Sequence, residues 1–289
     1  MNGTEHNSAE HIGVLGGGRM GAGIAHAFLL SGARVTVVER DAEAADAAAQ
    51  RIRDSIRRSA ERDPDLAPGE TAARLQFDLH VSGFEDAALV IEAVPEDRAL
   101  KLEALARVDA VLSEGAVLAS NTSSISIDDL AGAVRDPARF LGLHFFNPVP
   151  ASALVEIVRG TATDAGVVEL ARNWVTALGK TPIVVRDSPG FASSRLGVML
   201  GLEAIRMLED GVATAEDIDT AMTLGYRHPM GPLRTTDIVG LDVRLGIAEE
   251  LARELGERFA PPALLRTMVA EGRLGRKSGE GFYVWNEER

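Results

Sequence analysis

The sequence has no cysteine, and aromatic residues make up only 4% of its 289 positions. The first absence excludes disulfides, thiolate nucleophiles and cysteine-held zinc together, and it fits a reducing compartment. Positive charge is in the minority: 30 Lys and Arg against 43 Asp and Glu leave a net charge of −13. That balance argues against nucleic acid or an anionic membrane surface as partner, so any anionic ligand needs a local basic patch. The start, Met1-Asn2-Gly3-Thr4-Glu5-His6, lacks the basic and apolar segments of a secretion signal. No apolar run is long enough to span a bilayer. A cytoplasmic protein without membrane contact is expected. The 6 histidines form no HxxxH pair and there is no aspartate cluster of EF-hand spacing, so no metal site is expected.

What the chain does have is an apolar share of 46%, ample for packed cores, and a length that points to two domains. Ile12 to Leu15 is a short apolar strand running straight into Gly16-Gly17-Gly18-Arg19-Met20-Gly21. Small and apolar residues then recur at helical spacing from Ala22 to Leu30, and a second strand, Val35 to Val38, ends at Glu39. Further strands are predicted at Leu89–Glu92, Ala116–Ala119, Phe140–Phe145, Leu154–Val158 and Ile183–Val185, with helices at about 42–61 and 96–112. Apolar strands alternating with helices imply a Rossmann-type, doubly wound, mainly parallel sheet covered on both faces. After Asp187-Ser188-Pro189-Gly190 the pattern becomes helical, at about 190–210, 215–224, 238–256 and 263–270, and one last strand is predicted at Phe282-Tyr283-Val284-Trp285. The expected division is a loose tail over 1–10, an α/β dinucleotide-binding domain over 11–187, and an all-α C-terminal domain over 188–289.

Gly16-x-Gly18-x-x-Gly21 gains its meaning from context, because it follows a strand, opens a helix and precedes an acidic strand end by about 20 residues. The first glycine permits a tight turn, the second lets a pyrophosphate approach the backbone, and the third allows helix and sheet to pack closely. Glu39 then suits the adenosine ribose hydroxyls, and its charge favours NAD over NADP, although the neighbouring Arg40 could attract a 2′-phosphate. Ser120-Asn121-Thr122-Ser123-Ser124 follows a strand at the edge where such folds bind ligands; capping of the next helix explains it equally well on sequence alone. Arg51, Arg53, Arg57, Arg58 and Arg62 form a basic run, either a solvated helix face or a landing site for a phosphorylated ligand tail. His144, in Leu143-His144-Phe145-Phe146-Asn147-Pro148, ends an apolar run a short loop before Glu156. An imidazole oriented by a carboxylate is a proton-transfer pair; a lone histidine there would more often be a core residue.

These segments together resemble the 3-hydroxyacyl-CoA dehydrogenase family, especially its single-function bacterial members acting on 3-hydroxybutyryl-CoA. The likeness runs from about Ile12 to Tyr283 and rests on Gly16–Gly21, Val90-Ile91-Glu92-Ala93-Val94-Pro95-Glu96, Ser120–Ser124, His144–Pro148, Pro189-Gly190-Phe191, His228-Pro229-Met230-Gly231-Pro232 and the stretch Leu274 to Tyr283. It implies NAD as cofactor and oxidation of an acyl-CoA substrate, with His144 as general base, Glu156 orienting it and Ser123 bonded to the C3 oxygen. Glu96, Lys101 and Asn147 match positions near the nicotinamide, with Asn121 in the same loop-lined region. Ser55 and Arg62 match positions that contact the CoA. The helical domain would bind substrate and form a homodimer, in a setting of fatty acid metabolism. Two departures bear on the acyl group and its carrier. Ser194 stands, as a further catalytic candidate, where the family has an asparagine that helps bind or polarise the substrate, and Ala151-Ser152-Ala153 stands where many relatives carry a larger apolar residue and a lysine. The alternatives are the same chemistry on an acyl-carrier-protein thioester or another 3-hydroxy acid, or a non-catalytic dinucleotide-binding relative.

Overall fold

The structure is a computed structural model and describes residues 10–285. It divides into two compact units, Met1–Asp187 and Ser188–Arg289. Of the expected tail, residues 1–9 lie outside the described residues. Glu10 is tied down, its carboxylate accepting from Trp174 Nε1 at 2.9 Å.

The first unit is an eight-stranded sheet among the described residues: β1 (His11–Leu15), β2 (Arg34–Val38), β3 (Leu75–Asp78), β4 (Leu89–Glu92), β5 (Val117–Ser120), β6 (Phe140–Phe145), β7 (Leu154–Arg159) and β8 (Thr181–Arg186). Their spatial order is β3-β2-β1-β4-β5-β6-β7-β8. The helices are α1 (Arg19–Leu30), α2 (Ala42–Ala60), α3 (Pro68–Ala73), α4 (Arg98–Asp109), α5 (Ile127–Ala131) and α6 (Ala165–Ala177). Strands β1, β4, β5 and β6 are buried along their whole length, as continuous apolar runs in a sheet covered on both faces should be. From β1 the chain first adds strands on one side and then returns to add β4 to β8 on the other. The switch point therefore lies between β1 and β4, where doubly wound folds open a crevice at the strand carboxyl ends. Every neighbouring pair is parallel except β6 and β7.

The second unit is helical: α7 (Ser193–Glu209), α8 (Ala215–Thr220), α9 (Pro232–Val239), α10 (Leu241–Leu255) and α11 (Ala263–Ala270). Its core gathers Val198, Leu202, Ile205, Leu233, Leu241, Leu251, Phe259 and Leu265. The sequence reading starts one helix at about 238. The structure has two, because Gly240 at φ +104° breaks the path between α9 and α10.

The predicted C-terminal strand does not form. Residues Phe282 to Trp285 make only isolated bridges, with Glu280 facing Gly275 and Val284. Their donors go instead to Asp237, fully buried on α9. Its two oxygens accept the Phe282 and Tyr283 N–H groups at 2.9 and 3.0 Å and Trp285 Nε1 at 2.7 Å. This clasp also accounts for the glycines of the segment. A β-carbon on Gly281 would lie 2.2 Å from the Asp237 carboxylate, and one on Gly275 2.2 Å from its backbone oxygen.

Asp237→Ala should therefore destabilise the protein by roughly 1–3 kcal/mol for each donor left unpaired. Thermal unfolding measures the loss, and a midpoint within error of wild type would remove the clasp from the account of this segment.

Candidate active site

The glycine loop closes β1 and opens α1. Gly16, at φ +91°, donates to Val38 O at 2.9 Å and makes the tight turn. A β-carbon on Gly21 would sit 1.8 Å from Gly16 O, so the third glycine lets the helix lie directly on the loop. An added β-carbon on Gly18 meets nothing within 4 Å, so this position faces open space beside the first turn of α1. Gly17 has a role the sequence reading missed: a β-carbon there would strike Ala48 of α2 at 2.4 Å. Glu39, one residue past β2, accepts the Gly17 N–H at 2.6 Å. Arg40 is paired with Asp41 at 3.0 Å. Backbone room at Gly18, a helix N-terminus and a carboxylate at the end of β2 fit a dinucleotide whose ribose hydroxyls are free.

At the carboxyl end of β4 lies an ionic cluster. Glu92 is fully buried. It accepts from Lys101 Nζ and Val94 N at 2.7 Å each, and from Ser120 Oγ at 2.5 Å. Lys101, buried on α4, also reaches Glu96 at 3.2 Å. Glu96 in turn accepts from Thr122 Oγ1 at 2.6 Å, from the Ser123 and Ser124 N–H groups at 2.9 and 3.2 Å, and from their hydroxyls at 3.3 and 3.2 Å. Partial burial works to raise the Glu96 pKa, but the Lys101 charge and the Thr122 and Ser123 bonds outweigh it and hold the carboxyl below its usual range. The Ser120–Ser124 loop is thus held by a carboxylate, and the cap of α5 is Ser126 instead. Glu92 and Thr122 carry as much of this cluster as the residues singled out beforehand. The only sequence signal for Glu92 was a carboxylate closing an otherwise apolar strand.

His144 and Glu156 are directly opposite one another in the antiparallel β6–β7 pair. Both are buried, and His144 Nδ1 lies 2.7 Å from Glu156 Oε2. A carboxylate accepts, so Nδ1 carries the hydrogen and Nε2 carries the basic lone pair. The Phe146 ring packs 4.5 Å from the imidazole. Asn121 Oδ1 accepts the Phe145 N–H at 2.9 Å, which ties the serine loop to the histidine strand. Asn147, next along the chain, is exposed and joined to Pro148 by a cis peptide bond.

The remaining predicted residues stand elsewhere. Ser55 is half-buried on α2, its hydroxyl donating to Arg51 O at 2.9 Å and accepting from Arg58 Nη2 at 3.0 Å. Arg57 is paired with Asp54. Arg62, just beyond α2, is exposed. Ser194 is in the first turn of α7 in the helical unit. At the segment Ala151–Ala153, Lys180 Nζ donates to Ser152 O and, just before the segment, to Val149 O, at 2.6 Å each. No group of residues able to hold a metal is found, and no helix is long and apolar enough to cross a membrane, among the described residues.

Fold and loop together define a dinucleotide-binding oxidoreductase of the Rossmann class. A family model described as 3-hydroxyacyl-CoA dehydrogenase, NAD binding domain, matches residues 11–188, and one for the C-terminal domain of the same family matches 190–285. A 3-hydroxybutyryl-CoA dehydrogenase of Mycobacterium tuberculosis is 44% identical over 96% of this chain and 99% of its own. The mitochondrial hydroxyacyl-coenzyme A dehydrogenase of Homo sapiens is 38% identical over 96% of this chain and 91% of its own. Among solved structures, (S)-3-hydroxybutyryl-CoA dehydrogenase PaaH1 from Ralstonia eutropha superposes with a TM-score of 0.92 at 37% identity, covering 96% of this chain and all of that one (100%). The chain belongs to the 3-hydroxyacyl-CoA dehydrogenase family and is an NAD-dependent oxidoreductase.

The lowered Glu96 pKa has a sign that can be checked. The stability it contributes is present above the ordinary carboxylate range and is lost as pH falls through the depressed folded value. Wild type should lead Glu96→Gln by more at pH 7 than at about pH 3 in urea unfolding. A lead that does not change with pH would contradict the pairing.

Proposed function

We propose that this enzyme oxidises short-chain (S)-3-hydroxyacyl-CoA to 3-oxoacyl-CoA and catalyses the reverse reduction. The observation that carries this reading is the His144–Glu156 pair: two buried side chains, in register across adjacent strands, with 2.7 Å between Nδ1 and Oε2. Bound NAD supplies the two-electron acceptor. The chain supplies the proton path. His144 Nε2 takes the proton of the C3 hydroxyl as C3 is oxidised, and returns it to the C3 oxygen in the reverse direction. The buried Glu156 carboxylate fixes the tautomer and steadies the imidazolium that forms. Ser123 Oγ donates to the C3 oxygen; its present contact with Glu96 is long, 3.3 Å, and readily exchanged.

Gly16, Gly18, Gly21 and Glu39 hold the adenosine and pyrophosphate half of NAD. Glu96, Lys101, Asn121 and Asn147 lie at its nicotinamide end. Lys101 bridges two neighbouring carboxylates, Glu92 and Glu96, and offsets one of their two charges at the carboxyl ends of the strands. Ser55 and Arg62 bind the CoA, in a basic stretch of an otherwise acidic protein. Ser194 takes the place of the asparagine that helps bind the substrate in the family, offering one hydroxyl hydrogen bond. The helical unit exposes Leu196, Leu224 and Tyr226 at 70%, 78% and 75%, which supports a homodimer through that unit. A cytoplasmic setting accords with the absence of cysteine.

His144→Ala should lower kcat for acetoacetyl-CoA reduction by about 10²–10⁴-fold while NADH affinity stays near normal. Glu156→Gln should lose less, because an amide oxygen can still accept from Nδ1. The decrease in NADH absorbance measures both, and wild-type turnover by His144→Ala would sink the assignment. Arg62→Glu should raise KM for CoA substrates by about tenfold with kcat little changed, and that rise should shrink at high salt. An unaltered KM would remove Arg62 from the CoA site.

A further inference from the structure

The chain carries 27 arginines and only 3 lysines, Lys101, Lys180 and Lys277. Against that preference, a lysine suits a place where converging acceptors need a compact ammonium and no planar fork. Lys101 stands between Glu92 and Glu96, and Lys277 bonds to both oxygens of Asp242. Lys180 differs from both. No carboxylate acts on it among the described residues, and its ammonium is held by two backbone carbonyls, Val149 O and Ser152 O, at 2.6 Å each.

The end of α6 puts it there. Gly179, at φ +70°, donates to Thr176 O at 2.9 Å, and the Lys180 N–H donates to Val175 O at 3.2 Å, the double closure that ends many helices. Thr181 then opens β8, its N–H donating to Ala153 O at 2.6 Å. Lys180 therefore stands beside the turn of residues 146–153 that joins β6 to β7. One end of that turn follows His144 and the other precedes Glu156, and the strand pairing sets those two opposite one another. Inside the turn, the Ala151 and Ser152 N–H groups both go to Pro148 O, at 3.0 and 3.1 Å. Val149 is its buried knob, seated against α1 where a β-carbon on Gly23 would lie 2.9 Å from Val149 Cβ. The turn thus has two anchors, an apolar one on α1 and an ionic one at Lys180. Only the carbonyls offset the ammonium: burial pushes its pKa down. His26 is held neutral, its pKa pushed to about 4 by burial and by the charges of Arg58 and Lys180.

We propose that Lys180 is a positioning residue for the nicotinamide end of NAD: by holding the two carbonyls it sets the turn, and the turn sets Asn147. This rests on the reading above that places Asn147 at the nicotinamide. Bonds from a charged donor are about twice as strong as neutral ones, so the ionic anchor outweighs any single bond inside the turn. A neutral side chain at 180 leaves two part-buried carbonyls without their donor, and the turn relaxes about Val149 alone. The adenosine and pyrophosphate half of the site is built on the glycine loop and Glu39, which Lys180 does not touch.

The test is titration calorimetry with NADH and with ADP-ribose, which lacks the nicotinamide. Lys180→Met should weaken NADH binding about tenfold and leave ADP-ribose within about twofold of wild type. Asn147→Ala should show the same selective loss, and Lys180→Met added to it should cost little more, because the lysine acts through that residue. Lys180→Arg keeps the charge but puts a fork in place of a point. It should lie between, and it carries the comparison if the Met variant does not fold. In acetoacetyl-CoA reduction the loss should appear in KM for NADH, with KM for the thioester unchanged. Equal weakening of NADH and ADP-ribose overturns the proposal, because it marks a general loosening of the fold. So does unaltered NADH binding in the variant that carries the comparison, or losses at the two positions that simply add. If Asn147→Ala itself leaves NADH binding unchanged, the placement of Asn147 at the nicotinamide fails and this inference with it.

Discussion

The antiparallel contact between β6 and β7 is the constraint on which the proposed proton-transfer pair depends. Directly opposed residues in such a pair hold their β-carbons about 4.5–5.5 Å apart, so short side chains meet without any loop having to aim them. His144 and Glu156 meet in that way, and the sheet's own hydrogen bonds set their separation. Leu143, Phe145, Val155 and Ile157, which alternate with the pair along the two strands, point to the opposite face and anchor both strands in the core. A register slip of one residue would carry His144 to the other face of the sheet. The geometry of the His144–Glu156 pair and the strand pairing are one requirement here.

The carboxyl ends of the other strands are organised by charge. Lys101 joins Glu92 to Glu96, and through Glu96 to the hydroxyls and N–H groups of the serine loop. Buried ions of this kind add little net stability, because desolvation offsets their attraction. What the cluster contributes is position. Ser120, Thr122, Ser123 and Ser124 all bond to one of the two carboxylates. Asn121, whose amide oxygen holds the Phe145 N–H, links that loop to the strand carrying His144.

The α/β class was legible because the central strands are uninterrupted apolar runs and the glycine loop stands between a strand and a helix. Strand β3 was not, since Leu75-Gln76-Phe77-Asp78 is only partly buried at the sheet edge and has no clear alternation. Helix α6 went unread between two strands, although its stripe of Val167, Val168, Ala171, Trp174 and Val175 is buried. The aromatic segment Phe282 to Trp285 has the composition of a strand, and a carboxylate 45 residues away in the chain overrides that preference by taking its donors. For the site, His144 and Glu156 could be named from local pattern, and Glu96 and Lys101 from family likeness. Glu92 could not be, because the meaning of a buried charge lies in what surrounds it, and its lysine and serine partners come from the next helix and the next strand.

Glu39 carries a consequence for anyone who would redesign the cofactor preference. Its carboxylate braces the glycine loop by accepting the Gly17 N–H at 2.6 Å, while Gly17 itself is pressed against Ala48 of α2. The ribose contact proposed for Glu39 and the bracing of the glycine loop therefore fall on one carboxylate. Replacing Glu39 with a small or basic residue would remove both at once. A working switch needs a second substitution that restores an acceptor for Gly17, together with the release of Arg40 from Asp41. On the proposed reading, cofactor choice would be tied to Glu39, Gly17 and Arg40 together, through the loop bond and the Arg40–Asp41 pair.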